Sequence, residues 1–388
     1  MTKPHTDVLV IGGGVLGTFF AYHALKRQMR VVLLERHAKP KGATVRNFGQ
    51  IVPSGLDRNW QQYGRESLHI YQDIQSRSDI TVRHLGSLYI ASDDEELALI
   101  EELRDINAST GYSSELWTPQ QCCKKLPALR TDYCRGGLYF PDEISVNPQQ
   151  MIHRLHAYLA EQSNLDIHYS SCVSAIEKCA NDLIKVTTTK GIEFTSERVI
   201  LCCGSEFQTL FPQHFRDSNL ELVKLQMLKL KPQRHIEIPG NILTGLSIRR
   251  YESFSQCPSW DAIKSRESQD SFYKRWGVHI LFKQESDGGI ILGDSHEYTD
   301  VSDPERLNFE LRGDINEYFI AEGQKIFDLP DWSIDRAWYG LYSQSRDPEG
   351  IFTKSVENNV HIVTGIGGKG MTSSAGFAKY YLEKVYHD

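Results

Sequence analysis

The tightest constraint on this chain is a run of about thirty residues near its start, where strand, glycine turn, helix and strand follow in the order of a βαβ unit. Asp7-Val-Leu-Val-Ile11 is short, apolar and branched, as a strand buried on both faces must be. It enters Gly12-Gly-Gly-Val-Leu-Gly17, which matches G-x-G-x-x-G at Gly12, Gly14 and Gly17. The pattern predicts a helix from Thr18 to Gln28, with Phe19, Phe20, Ala24 and Leu25 on its apolar face, and a second buried strand over Arg30-Val-Val-Leu-Leu-Glu35. Gly12 permits the tight turn, Gly14 lets the backbone approach a pyrophosphate, and Gly17 brings the helix close to the strand. Val15 and Leu16 complete the turn, whose helix N-terminus offers free N–H groups to phosphate. Glu35, with Arg36 beside it, stands where a carboxylate accepts hydrogen bonds from an adenosine ribose. That carboxylate would repel a 2′-phosphate, so the dinucleotide expected here is not NADP.

The other end of the chain separates FAD from NAD. Asn359-Val-His-Ile-Val-Thr364 reads as another strand, followed by Gly365-Ile-Gly-Gly-Lys-Gly-Met-Thr372 and a helix to Val385. This unit does not repeat the first motif's spacing. Its expected role is to aim a helix N-terminus at an electron-rich group, and a reduced flavin, negative around N1 and the C2 carbonyl, is such a group. Lys369 would add its charge to that stabilisation.

Other function classes are excluded on simple counts. Acidic residues outnumber basic ones by 50 to 43, so no global basic surface recruits nucleic acid or anionic lipid. No apolar run approaches the roughly 18 residues of a membrane span, and with a strand read from Asp7 no signal peptide is expected. The eight cysteines include two adjacent pairs, Cys122-Cys123 and Cys202-Cys203, and no CxxC. That pattern fits reduced thiols in a cytoplasmic protein, with neither a disulfide framework nor a metal site. The 388 residues are enough for two or three domains.

Taken together, these segments resemble the D-amino-acid-oxidase-like flavoproteins, the family of glycine oxidase and sarcosine oxidase. The resemblance covers essentially the whole chain and rests on four stretches: the N-terminal unit, Ala43-Thr-Val-Arg-Asn-Phe-Gly49, the mid-chain strand Val199-Ile-Leu-Cys-Cys-Gly204, and Thr364 to Thr372. It implies an FAD cofactor, with Thr44, Arg46, Asn47, Phe48 and Gly49 along the flavin and Val173 holding the adenine by its backbone. By the same likeness Cys203, Gly204, Gly340 and Gly367 would also bind the cofactor, and Gly368, Lys369, Gly370, Met371 and Thr372 would meet its pyrimidine end. The implied fold class is α/β: a Rossmann-type FAD-binding domain (residues 1–85, 145–225 and 325–388) and a second, mainly antiparallel β domain for substrate (86–144 and 226–324). Leu225–Leu230, His279–Phe282 and Gly289–Gly293 read as strands of the second domain. The polar insert Ser253 to Trp276 is either a lid or a surface decoration.

Many amino-acid oxidases of this family place an Arg in a Gly-Leu-Arg-Pro segment to fork onto the substrate carboxylate. Here Tyr342, in Trp338-Tyr-Gly-Leu-Tyr-Ser-Gln-Ser345, stands at that position. A neutral hydroxyl does not replace a bidentate cation. Arg46, Arg249 and Arg250 are the candidate replacements, and His296 and Tyr298, ending Gly293-Asp-Ser-His-Glu-Tyr298, can face the flavin. The residues alone imply a small anionic amine. The segments Val45–Gly49, Arg249–Phe254, Gly293–Tyr298 and Gly365–Thr372 further resemble the branch associated with phosphonate catabolism, which includes oxidases of N-methylated 2-aminoethylphosphonate. The implied reaction passes hydride from the carbon beside the amine to flavin, releases amine and phosphonoacetaldehyde, and reduces dioxygen to hydrogen peroxide. Tyr342, Tyr298 or His296 is expected to accept the amine proton, His296 first because its ordinary pKa lies nearest neutrality. Lys369 is the candidate for the oxygen-activating cation that sarcosine oxidases carry elsewhere. A glycine- or sarcosine-type activity and a non-catalytic FAD-binding module are the alternatives.

Overall fold

The fold is taken from a computed structural model that describes residues 6–357 and 359–387. The two predicted strands are present as β1 (Thr6–Ile11) and β2 (Val31–Leu34), joined by helix α1 (Val15–Lys26). They pair in parallel, with Val10 opposite Leu33 on one side and Ile200 of strand Glu193–Leu201 on the other. Leu165–His168 extends the sheet beyond β2, and Val360–Thr364 joins it beside Glu193–Leu201, again in parallel. Strands that give no outlet to water on either face need apolar side chains throughout, which is why β2 is buried at all four positions.

One face of this sheet is covered by α1, Arg58–Arg77 and the C-terminal helix Gly370–His387. Phe19, Phe20 and Ala24 of α1, Tyr71 of the second helix, and Ala375 and Leu382 of the third join Val8, Val10 and Leu33 in a single core. The other face buries Leu9, Val32, Leu34, Val199 and Leu201.

The second sheet is mainly antiparallel and is built around the long strand Leu220–Leu230, which pairs with Ile334–Ser345, Glu297–Asp300 and Ile290–Gly293. It continues through Leu281–Gln284, Asn241–Leu243, Ser87–Ala91, Gly136–Phe140 and Glu115–Trp117. Its two faces follow the period-two rule: Leu281 and Ile291 enter one apolar cluster, and Phe282, Ile290 and Leu292 the other. The fold class is the one expected, α/β with a doubly covered parallel sheet and a second antiparallel one. The expected boundary after residue 225 falls inside the strand Leu220–Leu230, and Ile334–Ser345, grouped by sequence with the first unit, is hydrogen-bonded in the second sheet.

The insert after residue 252 folds as three short helical pieces, Glu252–Gln256, Trp260–Arg266 and Phe272–Arg275. Phe254, Cys257 and Ile263 pack into the cluster that holds Leu99, Ile100 and Leu103. All eight cysteines are free thiols. Among the described residues, no helix is long and apolar enough to cross a membrane.

Candidate active site

A cavity of about 880 Å³ opens between the two sheets, walled by residues of both. All residues proposed from sequence for the cofactor line it, Gly12, Val173 and Thr372 among them. Gly12 adopts φ +108°, and a Cβ there would stand 2.2 Å from the Cys202 carbonyl oxygen, so only glycine makes this turn. Glu35 is buried, and its carboxylate accepts from Gly13 N (3.0 Å) and His37 N (2.9 Å). Those bonds hold it in place while leaving lone pairs for ribose hydroxyls. Thr44 receives Val15 N at 3.0 Å, joining the first glycine turn to the 43–49 segment. Asn47 closes its own turn, donating to Thr44 O and accepting from Gly49 N.

These residues fit an extended dinucleotide. The Cα faces of Gly204 and Gly368 look onto open space: a Cβ at Gly204 meets nothing within 4 Å, and one at Gly368 meets only the Tyr342 hydroxyl, at 3.9 Å. The N-terminus of the Gly370–His387 helix borders the same cavity through Gly370, Met371 and Thr372, where its dipole favours an electron-rich group.

In the same cavity wall Arg250, Tyr251, His279, Asp294, His296, Tyr298 and Tyr342 come together. The local folding explains their convergence. Asp294, His296 and Tyr298 alternate along an extended stretch, so their side chains share a face. His279 N donates to Asp294 O (2.8 Å), extending the Leu281–Gly293 pairing and setting the two side by side. Gly277, at φ +53°, makes room for both Arg250 and His296. A Cβ there would lie 3.0 Å from Arg250 Nη1 and 3.0 Å from His296 Cβ. Arg250 Nη2 donates to the Tyr298 hydroxyl at 2.6 Å, and no carboxylate pairs with this guanidinium among the described residues.

Burial sets the charges here. It drives His296 down to about 3 and His279 well below the usual histidine value, with Arg250 adding to both effects. Both rings are therefore neutral at pH 7. His296 Nδ1 donates to Gly277 O (3.0 Å), leaving Nε2 as its acceptor. Burial pushes Asp294 up to about 7, against the lowering effect of Arg250. The atoms that His279, Asp294 and His296 offer all lie within 4.8 Å of one another. With the Arg250 charge beside them, they form a hydrogen-bond acceptor group rather than a site for a divalent metal ion.

Four sequence expectations change in this geometry. Arg249 faces away from the cavity and is ringed by Asp93, Glu95, Glu96 and Glu267, at 2.6, 3.1, 2.8 and 3.4 Å. Its charge is fully engaged by carboxylates, so it is not available to a substrate anion. Arg46 lines the cavity, but its guanidinium donates to the carbonyls of Lys41 and Tyr339. Its role is to fasten the cofactor segment to the second sheet. Lys369 is ion-paired with Glu252 at 3.1 Å rather than standing alone. Burial and the Arg250 charge lower the basicity of His296, against its expected place as first proton acceptor. Sequence reasoning missed Asp294 and His279. The signal for Asp294 was its i, i+2 spacing to His296, which puts both on one face of an extended segment.

Comparison with known proteins agrees with the geometry. A family model described as FAD dependent oxidoreductase matches residues 7–383. The chain is 26% identical over 204 residues to 4-methylaminobutanoate oxidase (formaldehyde-forming) of Paenarthrobacter nicotinovorans, a match covering 52% of this chain and 24% of that relative's length. It is 21% identical over 382 residues to glycerol 3-phosphate dehydrogenase of Caloramator mitchellensis, covering 97% of this chain and 73% of that one. Its fold superposes on glycine oxidase from Bacillus cereus ATCC 14579 with a TM-score of 0.76 at 19% identity, over 98% of this chain and 95% of that one. The chain belongs to the FAD dependent oxidoreductase family, and its cofactor is FAD.

Proposed function

We propose that this protein oxidises a carbon–nitrogen bond of a small anionic amine, with 2-aminoethylphosphonate or its N-methyl derivative as substrate. The products are phosphonoacetaldehyde, the released amine and, with dioxygen as acceptor, hydrogen peroxide. In this reading residues 1–85, 145–225 and 325–388 serve the cofactor and residues 86–144 and 226–324 serve the substrate, with Tyr342 reaching across. The observation that carries the proposal is Arg250, a guanidinium in the cavity wall whose only hydrogen-bond partner among the described residues is a tyrosine hydroxyl. A guanidinium in a partly desolvated wall invites an anionic tail, and its fork matches phosphoryl oxygens.

Two similar proteins support each half of the substrate: 4-methylaminobutanoate oxidase acts on a methylated amine and glycerol 3-phosphate dehydrogenase on a phosphate ester. FAD, when bound, accepts two electrons from the carbon beside nitrogen and passes them to an acceptor. Arg250 holds the tail and Tyr298 holds Arg250. Tyr342, buried in the cavity wall, offers one further hydrogen bond to the tail or to the amine. The oxidised substrate then hydrolyses to aldehyde and amine.

Anaerobic bleaching of the bound flavin tests the proposal, with 2-aminoethylphosphonate, its N-methyl derivative, glycine, sarcosine and glycerol 3-phosphate in parallel. Bleaching by the phosphonate amines at the lowest concentrations is the expected outcome. Bleaching by glycine or sarcosine alone reassigns the enzyme to amino acids, and bleaching by glycerol 3-phosphate alone moves it from nitrogen to oxygen chemistry.

A further inference from the structure

We infer that Asp294, backed by the neutral rings of His279 and His296, receives the amine end of the substrate and takes the proton its nitrogen must lose. The inference rests on the amine oxidation proposed above.

Three observations meet at this group. Asp294 Oδ1 and His279 Nδ1 are both buried and neither has a hydrogen-bond partner in the protein. Unsatisfied buried polar atoms of that kind are costly unless a ligand completes them. What the Asp294 carboxylate oxygen lacks is a donor, and an amine or ammonium nitrogen is one. Next, Asp294 and His296 line the cavity with Arg250, so acceptors for an amine and a donor for an anion stand side by side. A short molecule with an amine at one end and an oxyanion at the other spans that arrangement. Finally, Asp294 is not consumed by its neighbours. The titratable or charged groups bearing on it are Arg250, Tyr251, His279, His296, Tyr298 and Tyr342, and Arg250 is the one permanent cation among them. Arg250 does not form an ion pair with Asp294; its hydrogen bond goes to Tyr298.

The step balances without a further reagent. An N–H bond of the bound ammonium breaks, an O–H bond forms on the Asp294 carboxylate, and the electron pair stays on nitrogen. That lone pair assists loss of hydride from the adjacent carbon, and the proton returns to water or to the departing amine. Burial holds the carboxyl up at about 7, where it exchanges a proton readily at neutral pH.

The FAD-loaded enzyme and its Asp294→Asn variant are compared by anaerobic flavin reduction with 2-aminoethylphosphonate between pH 5.5 and 9. The wild type is expected to gain rate as pH rises through about 7, as Asp294 loses its proton. In Asp294→Asn the rate falls on the order of 100-fold and that limb disappears. Binding of ethylphosphonate, which has the tail and no amine, is read from the flavin spectrum and stays unchanged in the variant. An unaltered pH limb in a variant that carries its flavin overturns the inference. A measurement on the wild type alone is independent of how well the variant folds. Replacing the substrate by an N-(2,2-difluoroethyl) derivative, a weaker base, leaves an Asp294 limb in place. A limb that moves with the substrate's own basicity overturns the assignment. If no amine bleaches the wild-type flavin, the function proposed above fails instead.

Discussion

Arg250 is aimed by one hydroxyl and by one missing methyl group. Tyr298 holds its Nη2, and Gly277 leaves the space its guanidinium fills. Removing the charge while keeping most of the stem, as in Arg250→Met, should weaken an anionic amine by roughly 10- to 100-fold, the value of a charge-assisted hydrogen bond. A neutral amine of similar shape should change by no more than a few-fold, as read by flavin spectral titration. At this scale the sequence was partly legible. The cofactor residues announce themselves because backbone approach to phosphate demands glycine at fixed spacing, and Gly12, Gly14 and Gly17 supply it. Substrate residues obey no such rule. Arg249 and Arg250 are adjacent in sequence, yet one is ringed by carboxylates and the other is not. That difference depends on Asp93 and Glu96, which lie some 150 residues away in the chain.

Arg249 belongs to the next scale up. The helix Asp94–Ser109 begins with three acidic residues and an Asp93 cap, an arrangement its dipole favours. Arg249, at the end of the short helix Gly245–Ile248, neutralises that concentration of charge, while Lys264 and Lys274 bind Glu267 alongside it. The result is a clamp that fixes the 252–276 insert against the second sheet and presents Arg250 and Tyr251 to the cavity. Arg249→Met should cost about 3 kcal/mol, because it leaves the buried Glu96 carboxylate without a cationic partner. A lowered thermal transition and faster proteolysis between residues 253 and 276 are the expected readouts. The parallel strands were legible from their continuous apolar runs, whereas the insert was not. Its helical pieces are five, seven and four residues long, too short for a 3.6-residue period to show. The strand Leu220–Leu230 hid a boundary for a different reason. Leu220 and Leu222 pack with the first sheet's core while Leu228 and Leu230 pack with the second's, so one apolar strand serves both.

For the whole molecule, buried ionisable groups govern how stability depends on pH. Glu143 is fully buried, and its Oε1 accepts from Ser54 N (2.8 Å) and the Tyr112 hydroxyl (2.7 Å). Burial raises its carboxyl from the ordinary 4.5 to about 7. Between those values the folded chain keeps a proton that the unfolded chain releases. The stability this contributes is complete below 4.5 and lost as pH rises through about 7, an effect of about 3 kcal/mol. Glu143→Gln should remove that decline. The thermal transition of the wild type should fall relative to the variant between pH 5 and pH 8.

The seam between Arg46 and the strand Ile334–Ser345 is reciprocal: Arg46 donates to Tyr339 O, and Trp338 Nε1 donates to Arg46 O. For protein engineering this makes the two halves poor candidates for wholesale exchange, since a graft that swaps one without the other severs the joint beside the flavin. The natural cassette is smaller. Residues 245–277 travel with their own electrostatic fastening and deliver the anion-reading arginine, so retargeting such an enzyme to a new tail begins there.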